Sequence, residues 1–63
     1  MTNAKTAPLW KVEYRAKKTF DDSFERQVVE LYALDRSEAR GLSAEMLQED
    51  GYEHRIIKRC YQP

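Results

Sequence analysis

A stretch of strictly alternating residues near the start of this sequence restricts its possible folds more than any other segment. From position 10 to position 17, apolar and charged side chains follow one another without exception. A period of two, built from aromatic and β-branched residues, is typical of a strand with one buried face. The sequence therefore predicts a first strand at residues 9–17 with two chemically opposite faces. The predicted inward side chains are Trp10, Val12, Tyr14 and Ala16, and the predicted outward side chains are Lys11, Glu13, Arg15 and Lys17.

Two further segments have the composition of strands. Residues 27–34 concentrate Val, Leu and Tyr without Gly or Pro, which predicts a second strand. Residues 52–61 are centred on the pair Ile56 and Ile57, which predicts a third strand. The alternation around this pair is ambiguous, so the pattern leaves open which isoleucine points inward.

A helix is predicted between the second and third strands. Its apolar face is predicted from residues that recur at helical spacing, with Ser43 between them on the same face: Ala39, Leu42, Met46 and Leu47. Asp35 is followed three positions later by Glu38, a spacing that satisfies two free backbone N–H groups at a helix start, and Ser37 is the alternative cap. Gly51 is typical of the residue that ends a helix, because glycine adopts the left-handed conformation without strain. Gly41 lies inside the helix, where a missing side chain would allow close packing on the sheet.

The order strand, strand, helix, strand predicts an α+β fold. The expected sheet is antiparallel, with three strands in spatial order two, one, three and one helix packed on one face. Residues 1–8 are predicted to be a disordered N-terminal segment, and residues 9–63 to form a single domain. The other sheet face must then meet water or a partner. The predicted core consists of Trp10, Val12, Tyr14, Val29, Leu31, Ala39, Leu42 and Met46.

Length and charge restrict the class of protein further. With 63 residues the core is small, and the formal net charge is zero. A domain that grips nucleic acid by its phosphates is usually strongly basic, so nucleic acid is not expected to be the main ligand. No long apolar run is present and the only cysteine is Cys60, which predicts a cytoplasmic protein without a membrane segment or disulfide. We expect a monomer.

The sequence offers few groups for catalysis. His54 and Cys60 are expected on the same face of the third strand, about 20 Å apart at the usual rise per residue, which is too far for a nucleophile and its base. No further Cys or His exists to complete a metal site, and no glycine-rich phosphate loop is present. We therefore predict a protein that is not an enzyme and uses no cofactor. His54 is expected to be an ordinary surface or hydrogen-bonded residue, and Cys60 to be a small buried hydrophobic residue near the end of the third strand.

Charge is segregated along the chain. Strands one and three are rich in Lys and Arg, whereas the helix is rich in Asp and Glu. Because the two basic strands are expected to be neighbours, the basic residues would gather on the open sheet face, and the helix side would be acidic. A bipolar protein of this kind suits a partner with a matching charged surface. The alternative is that these residues are charged only because they face solvent, and that they have no role in binding. The predicted partner-binding residues are Lys11, Arg15, Arg55, Lys58 and Arg59.

A turn separates the first two strands. Asp21, Asp22 and Ser23 have side chains that bond their own backbone, and Phe20 and Phe24 flank them. The two phenylalanines either close the loop by packing on each other, which we favour, or present an exposed apolar contact.

Short segments of the chain resemble a known family. They are Leu9-Trp10 with Val12, the second-strand run 29–33, Ser37-Glu38-Ala39, Gly51-Tyr52-Glu53, and the run 57–60. Together they resemble the small inhibitors of host RNA polymerase encoded by T-seven-like phages, which share this length and element order.

The resemblance extends over roughly residues 9–61 and implies a function. Members of that family bind the β′ subunit of bacterial RNA polymerase at the jaw, in the downstream DNA channel, and block promoter opening together with the sigma factor. The implied location is the host bacterial cytoplasm. The family's third strand has two functional arginines, which match Ile56 and Lys58 here. Lys58 keeps the charge without the bidentate geometry of arginine, and Ile56 departs from the pattern.

Two other functions fit the same predicted fold, because fold does not fix function. One is a different phage-encoded inhibitor, such as an anti-CRISPR protein. The other, ranked lower, is a small nucleic-acid-binding module in which Trp10 and Tyr14 would stack on bases.

Overall fold

A computed structural model describes residues 7–63 of the chain. It contains one sheet and one helix, in the predicted order strand, strand, helix, strand. The elements are β1 (Leu9–Lys17), β2 (Glu25–Tyr32), α1 (Arg36–Glu49) and β3 (His54–Tyr61). The spatial order of the strands is β2-β1-β3, and both neighbours of β1 run antiparallel to it. The predicted α+β fold is confirmed.

The helix side of β1 forms the centre of the core. Trp10, Val12, Tyr14 and Ala16 are all buried, as the alternation predicts. The indole Nε1 of Trp10 donates a hydrogen bond to the Ala33 carbonyl, 3.0 Å away, so the polar edge of the ring is satisfied inside the protein. This bond and the strand pairing fix β1 against the end of β2.

The ends of α1 are formed by the residues that the sequence singles out. The Asp35 carboxylate accepts a hydrogen bond from the Glu38 amide at 2.8 Å, which makes Asp35 the N-cap. The Glu38 carboxylate accepts from the Leu34 amide at 2.7 Å, one residue before the position expected for a capping box. At the other end Gly51 has φ +95°, and the Tyr52 amide donates to the Leu47 carbonyl at 2.9 Å, as in a Schellman motif.

The buried face of α1 matches the predicted one in part. Ala39, Ser43 and Leu47 face the sheet as predicted, whereas the predicted core residues Leu42 and Met46 are about 40% exposed. The cause is the ring of Tyr14, whose hydroxyl lies 2.6 Å from the Ser43 hydroxyl. A small polar residue on the helix accommodates this hydroxyl, so the helix turns Ser43 inward.

Other parts of the predicted core and helix have mixed outcomes. Val29 is buried as predicted, and Leu31 is partly buried against the core. Gly41 lies on the exposed side of α1, and a Cβ added there would have no atom within 4 Å. The glycine therefore does not bring the helix closer to the sheet.

A β-bulge in β3 sets the direction of its side chains. Glu13 and Tyr14 are adjacent on β1, but their partners are Arg59 and Ile57, so Lys58 is an extra residue without a partner. Because a bulge adds one residue, it changes which face the side chains on either side of it occupy. Ile57 therefore points to the core and Ile56 to the open face, which answers the question that the sequence leaves open.

Of the predicted disordered segment, residues 1–8, positions 1–6 lie outside the described residues. Pro8 is described, and its carbonyl accepts a hydrogen bond from the Ala33 amide at 3.1 Å. Within residues 7–63, no helix is long and apolar enough to cross a membrane.

Candidate protein-interaction surface

The side of the sheet opposite α1 is not covered by any element of residues 7–63. We call this side the open face. Cross-strand neighbours share a face, so the strand register assigns its members. From β2 they are Arg26, Val28, Glu30 and Tyr32; from β1 they are Leu9, Lys11, Glu13, Arg15 and Lys17; from β3 they are His54, Ile56, Arg59 and Tyr61.

Glu13 organises the centre of the open face. Its carboxylate lies 3.5 Å from the Arg26 guanidinium and 3.9 Å from the Arg59 guanidinium, and it accepts a hydrogen bond from the Tyr61 hydroxyl at 3.1 Å. The Arg59 guanidinium also lies 4.4 Å from the centre of the Tyr61 ring. Three strands are thus joined across the open face by one carboxylate, which holds Arg26 and Arg59 in place.

Lys11 is neutralised within the sheet. Its ammonium lies 3.3 Å from the Glu30 carboxylate, which is directly opposite on β2. Both side chains are partly exposed, so water and salt weaken this pair.

Arg15 and Lys58 differ from Lys11, Arg26 and Arg59, because they have no carboxylate partner within the sheet. Among residues 7–63, neither has a carboxylate within 4.0 Å. Both line an open depression in the sheet surface together with Glu13 and Arg26. Unpaired cations beside a depression are free to pair with carboxylates of another molecule without first breaking an ion pair. We call Lys11, Arg15, Arg26, Lys58 and Arg59 the basic face.

The structure does not bring all five predicted binding residues together. Lys11, Arg15 and Arg59 lie on the open face, and Lys58 borders it. Arg55 is opposite Ala16 and therefore on the helix side, where its guanidinium donates to the Tyr52 carbonyl at 2.6 Å. The expectation that the basic residues gather on the open face is wrong for Arg55, because the bulge separates Arg55 and Arg59 onto opposite faces.

Arg26 also belongs to this surface, although it is not among the predicted binding residues. Arg26 is directly opposite Arg15 on β2, where the two like charges increase the positive potential of the depression. The alternation of β2 indicates its face, but the segment predicted as the second strand begins one residue too late to include it.

Two apolar side chains lie among the charges. Val28 is 40% exposed and Ile56 is 49% exposed. Val28 is opposite Glu13, and Ile56 is opposite Arg15, so they flank the depression on both sides. An apolar centre with a polar rim is the usual arrangement of a protein interface.

The loop between β1 and β2 extends the open face at one end. Phe20 is 78% exposed, and its ring meets the His54 ring edge-on, with 6.4 Å between centroids. The Lys17 ammonium lies 5.2 Å from the Phe20 ring centre and 4.7 Å from that of Phe24. The favoured expectation that the two phenylalanines pack on each other is replaced by an arrangement in which Lys17 contacts both rings.

The groups considered for catalysis are far apart on different faces. His54 is opposite Lys17 on the open face, whereas Cys60 is opposite Val12 and contacts the core. The predicted common face is wrong, again because of the bulge between them. In the described part of the chain, no three His, Cys, Asp or Glu side chains lie close enough to hold a metal ion. The arrangement is suited to charge-guided contact with another surface.

Comparisons with known proteins give no family for the chain. No family model, no curated protein and no solved structure matches it. The resemblance to phage inhibitors therefore stays a prediction from the short segments given above.

Proposed function

We propose that this protein binds bacterial RNA polymerase at the β′ jaw through its basic face and inhibits host transcription. The identity of the partner comes from the resemblance to the phage-encoded inhibitors. The observation that supports a binding role is the pair Arg15 and Lys58, which within residues 7–63 have no carboxylate partner on an uncovered sheet face.

An acidic protein surface fits this face better than a nucleic acid. The chain as a whole has no net charge, so it lacks the general positive field that usually drives phosphate binding. Trp10 and Tyr14, the candidates for base stacking, are both buried on the helix side of the sheet. Charge complementarity confined to one face is typical of steered protein–protein association.

The basic residues would contribute unequally to this binding. Arg15 and Lys58 would form the new ion pairs with the polymerase, and Val28 and Ile56 would supply the apolar contact around them. Arg59 and Arg26 are already held by Glu13, so their contribution is mainly to the electrostatic potential. Arg55 has no place in this interface, because it lies on the helix side.

Two measurements with purified bacterial RNA polymerase holoenzyme test the proposal. The first is direct binding by biolayer interferometry at two salt concentrations, and the second is transcript yield from a promoter template. We expect binding at about micromolar concentration or tighter that weakens with salt, because screening acts over ~10 Å at 0.1 M. If the protein neither binds the holoenzyme nor lowers transcript yield, the polymerase proposal is wrong and another phage-type target, such as a CRISPR effector, takes its place.

A further inference from the structure

The two edges of the sheet are built differently. β3 has a bulge and the basic residues Arg55, Lys58 and Arg59, all features that discourage another strand from pairing with an edge. β2 pairs with β1 in unbroken register over eight residue pairs, and it contains no Pro, Gly or Lys. Its exposed charges are of both signs. In the described chain no strand pairs with its outer edge, because the sheet order is β2-β1-β3.

We propose that β2 is the interface of a homodimer, in which the β2 strands of two copies pair antiparallel about Val28 and form a continuous six-stranded sheet. This inference is independent of the proposed polymerase target. It replaces the expectation of a monomer.

Charge complementarity within β2 selects this register. When Val28 is opposite the Val28 of a second copy, Arg26 is opposite the second copy's Glu30, and the reverse pair forms on the other side of the two-fold axis. Directly opposite residues on antiparallel strands are close enough to form ion pairs. The symmetric interface thus contains two Arg–Glu pairs on either side of a valine pair, all on the open face.

The neighbouring registers lose both ion pairs. Centring the pairing on Gln27 puts Arg26 opposite Val28, and centring it on Val29 puts Glu30 opposite Val28. A centre between two residues would place the open face of one copy beside the helix side of the other, because side chains alternate with a period of two. Only the Val28 register satisfies the charges and keeps both helices on the same side of the sheet.

The ion pairs within each copy would continue as a row of alternating charges across the proposed interface. Within one copy Arg26 lies 3.5 Å from Glu13, and Glu30 lies 3.3 Å from Lys11. In the dimer these groups would form an alternating row: Arg59, Glu13 and Arg26 of one copy, then Glu30 and Lys11 of the other. Both Arg26 and Glu30 are exposed, so they are available for this contact.

Sedimentation velocity on the full chain tests the dimer. The protein is run from ~10 μM to ~1 mM, because a single strand pair is a small interface with modest affinity. Three samples are compared: wild type, Arg26→Glu alone and Glu30→Arg alone. We expect concentration-dependent dimers for wild type and at least ~10-fold weaker association for each variant, since each reversal creates two like-charge pairs.

An equimolar mixture of the two variants decides the register. In a mixed dimer, positions 26 and 30 are both acidic in the Arg26→Glu copy and both basic in the Glu30→Arg copy, so both interface pairs are opposite in charge again. We therefore expect the mixture to recover wild-type association. A wild-type protein that stays monomeric at ~1 mM overturns the proposal. Charge reversals that leave association unchanged, or a mixture that does not recover wild-type association, overturn it as well.

A cross-linking experiment covers the case in which a charge reversal unfolds the domain. Val28→Cys is prepared together with Cys60→Ala, and its matched control is Ile56→Cys with Cys60→Ala. Opposite residues on antiparallel strands have Cα atoms ~4.5–5.5 Å apart, within the range of a disulfide. We expect oxidised glutathione to convert the Val28→Cys protein to a covalent dimer and to leave the control largely uncross-linked. Equal cross-linking of the two proteins, or none of the Val28→Cys protein, contradicts the Val28 register.

Discussion

The two faces of β1 contrast in what holds their side chains in place. On the helix side, Tyr14 is 1% exposed, and its hydroxyl contacts Ser43 and the Arg40 carbonyl. On the open face, its neighbour Arg15 has no carboxylate partner within residues 7–63. Alternation along a strand of nine residues therefore gives two different faces: one set of side chains is packed in the core, and the other lies on the uncovered side of the sheet, where Arg15 has no ion pair in the described part of the chain.

The largest expected effect comes from replacing adjacent residues of β1 that lie on opposite faces. We expect Tyr14→Ala to lower the free energy of unfolding by roughly 3–5 kcal/mol, because it removes a buried aromatic ring from a small core. Arg15→Ala should change it by less than ~0.5 kcal/mol, since an exposed side chain without a partner adds little stability. Urea unfolding followed by circular dichroism measures both. A similar loss in the two variants would contradict this difference between the two faces.

A second comparison tests the buried face of α1 with two adjacent residues. Leu47 is 4% exposed, whereas Met46 is 43% exposed. We expect Leu47→Ala to cost ~2–5 kcal/mol, from lost burial and the cavity left behind, and Met46→Ala to cost less than ~1 kcal/mol. Thermal unfolding of the two variants gives the order. The reverse order would mean that Met46, and not Leu47, packs against the core.

The smallest of these effects concerns the start of α1. Asp35→Ala should cost ~0.5–2 kcal/mol, because the Glu38 amide loses its hydrogen-bond acceptor. Ser37→Ala, two residues on and inside the helix, should change the stability by less than ~0.5 kcal/mol. Chemical denaturation of both variants tests the assignment, and a larger loss for Ser37→Ala would move the cap to that residue.

The sequence predicts the fold well where one pattern dominates. The alternation of β1 is uninterrupted, and it predicts both the bounds of the strand and its buried face. Asp35 and Gly51 likewise predict the ends of α1, because capping depends on local chemistry. The prediction for the buried face of α1 is right for Ala39, Ser43 and Leu47 and wrong for Leu42 and Met46. Leu42 and Met46 are larger apolar residues, but the Tyr14 hydroxyl contacts Ser43 and keeps the helix turned to that side.

The candidate surface is predicted less completely because of β3. A bulge depends on how two strands meet, and nothing in the composition around Lys58 indicates one. With one extra residue, Arg55 moves to the helix side while Arg59 stays on the open face. Arg26 lies opposite Arg15 in the same sheet. Predicting this pair requires the register of β1 and β2 as well as the bounds of the two strands.

Two double variants that each lose two positive charges test whether the open face or the helix binds purified bacterial RNA polymerase. Arg15→Ala with Lys58→Ala removes two positive charges at the open face, and Arg36→Ala with Arg40→Ala removes two from exposed positions on α1. Both variants should remain folded by circular dichroism. We expect the first to bind at least ~30-fold more weakly than wild type, as for truncated interfacial charge pairs, and the second to bind within ~3-fold of wild type. Equal losses in the two variants, or no loss in the first, would contradict the claim that the open face binds the partner.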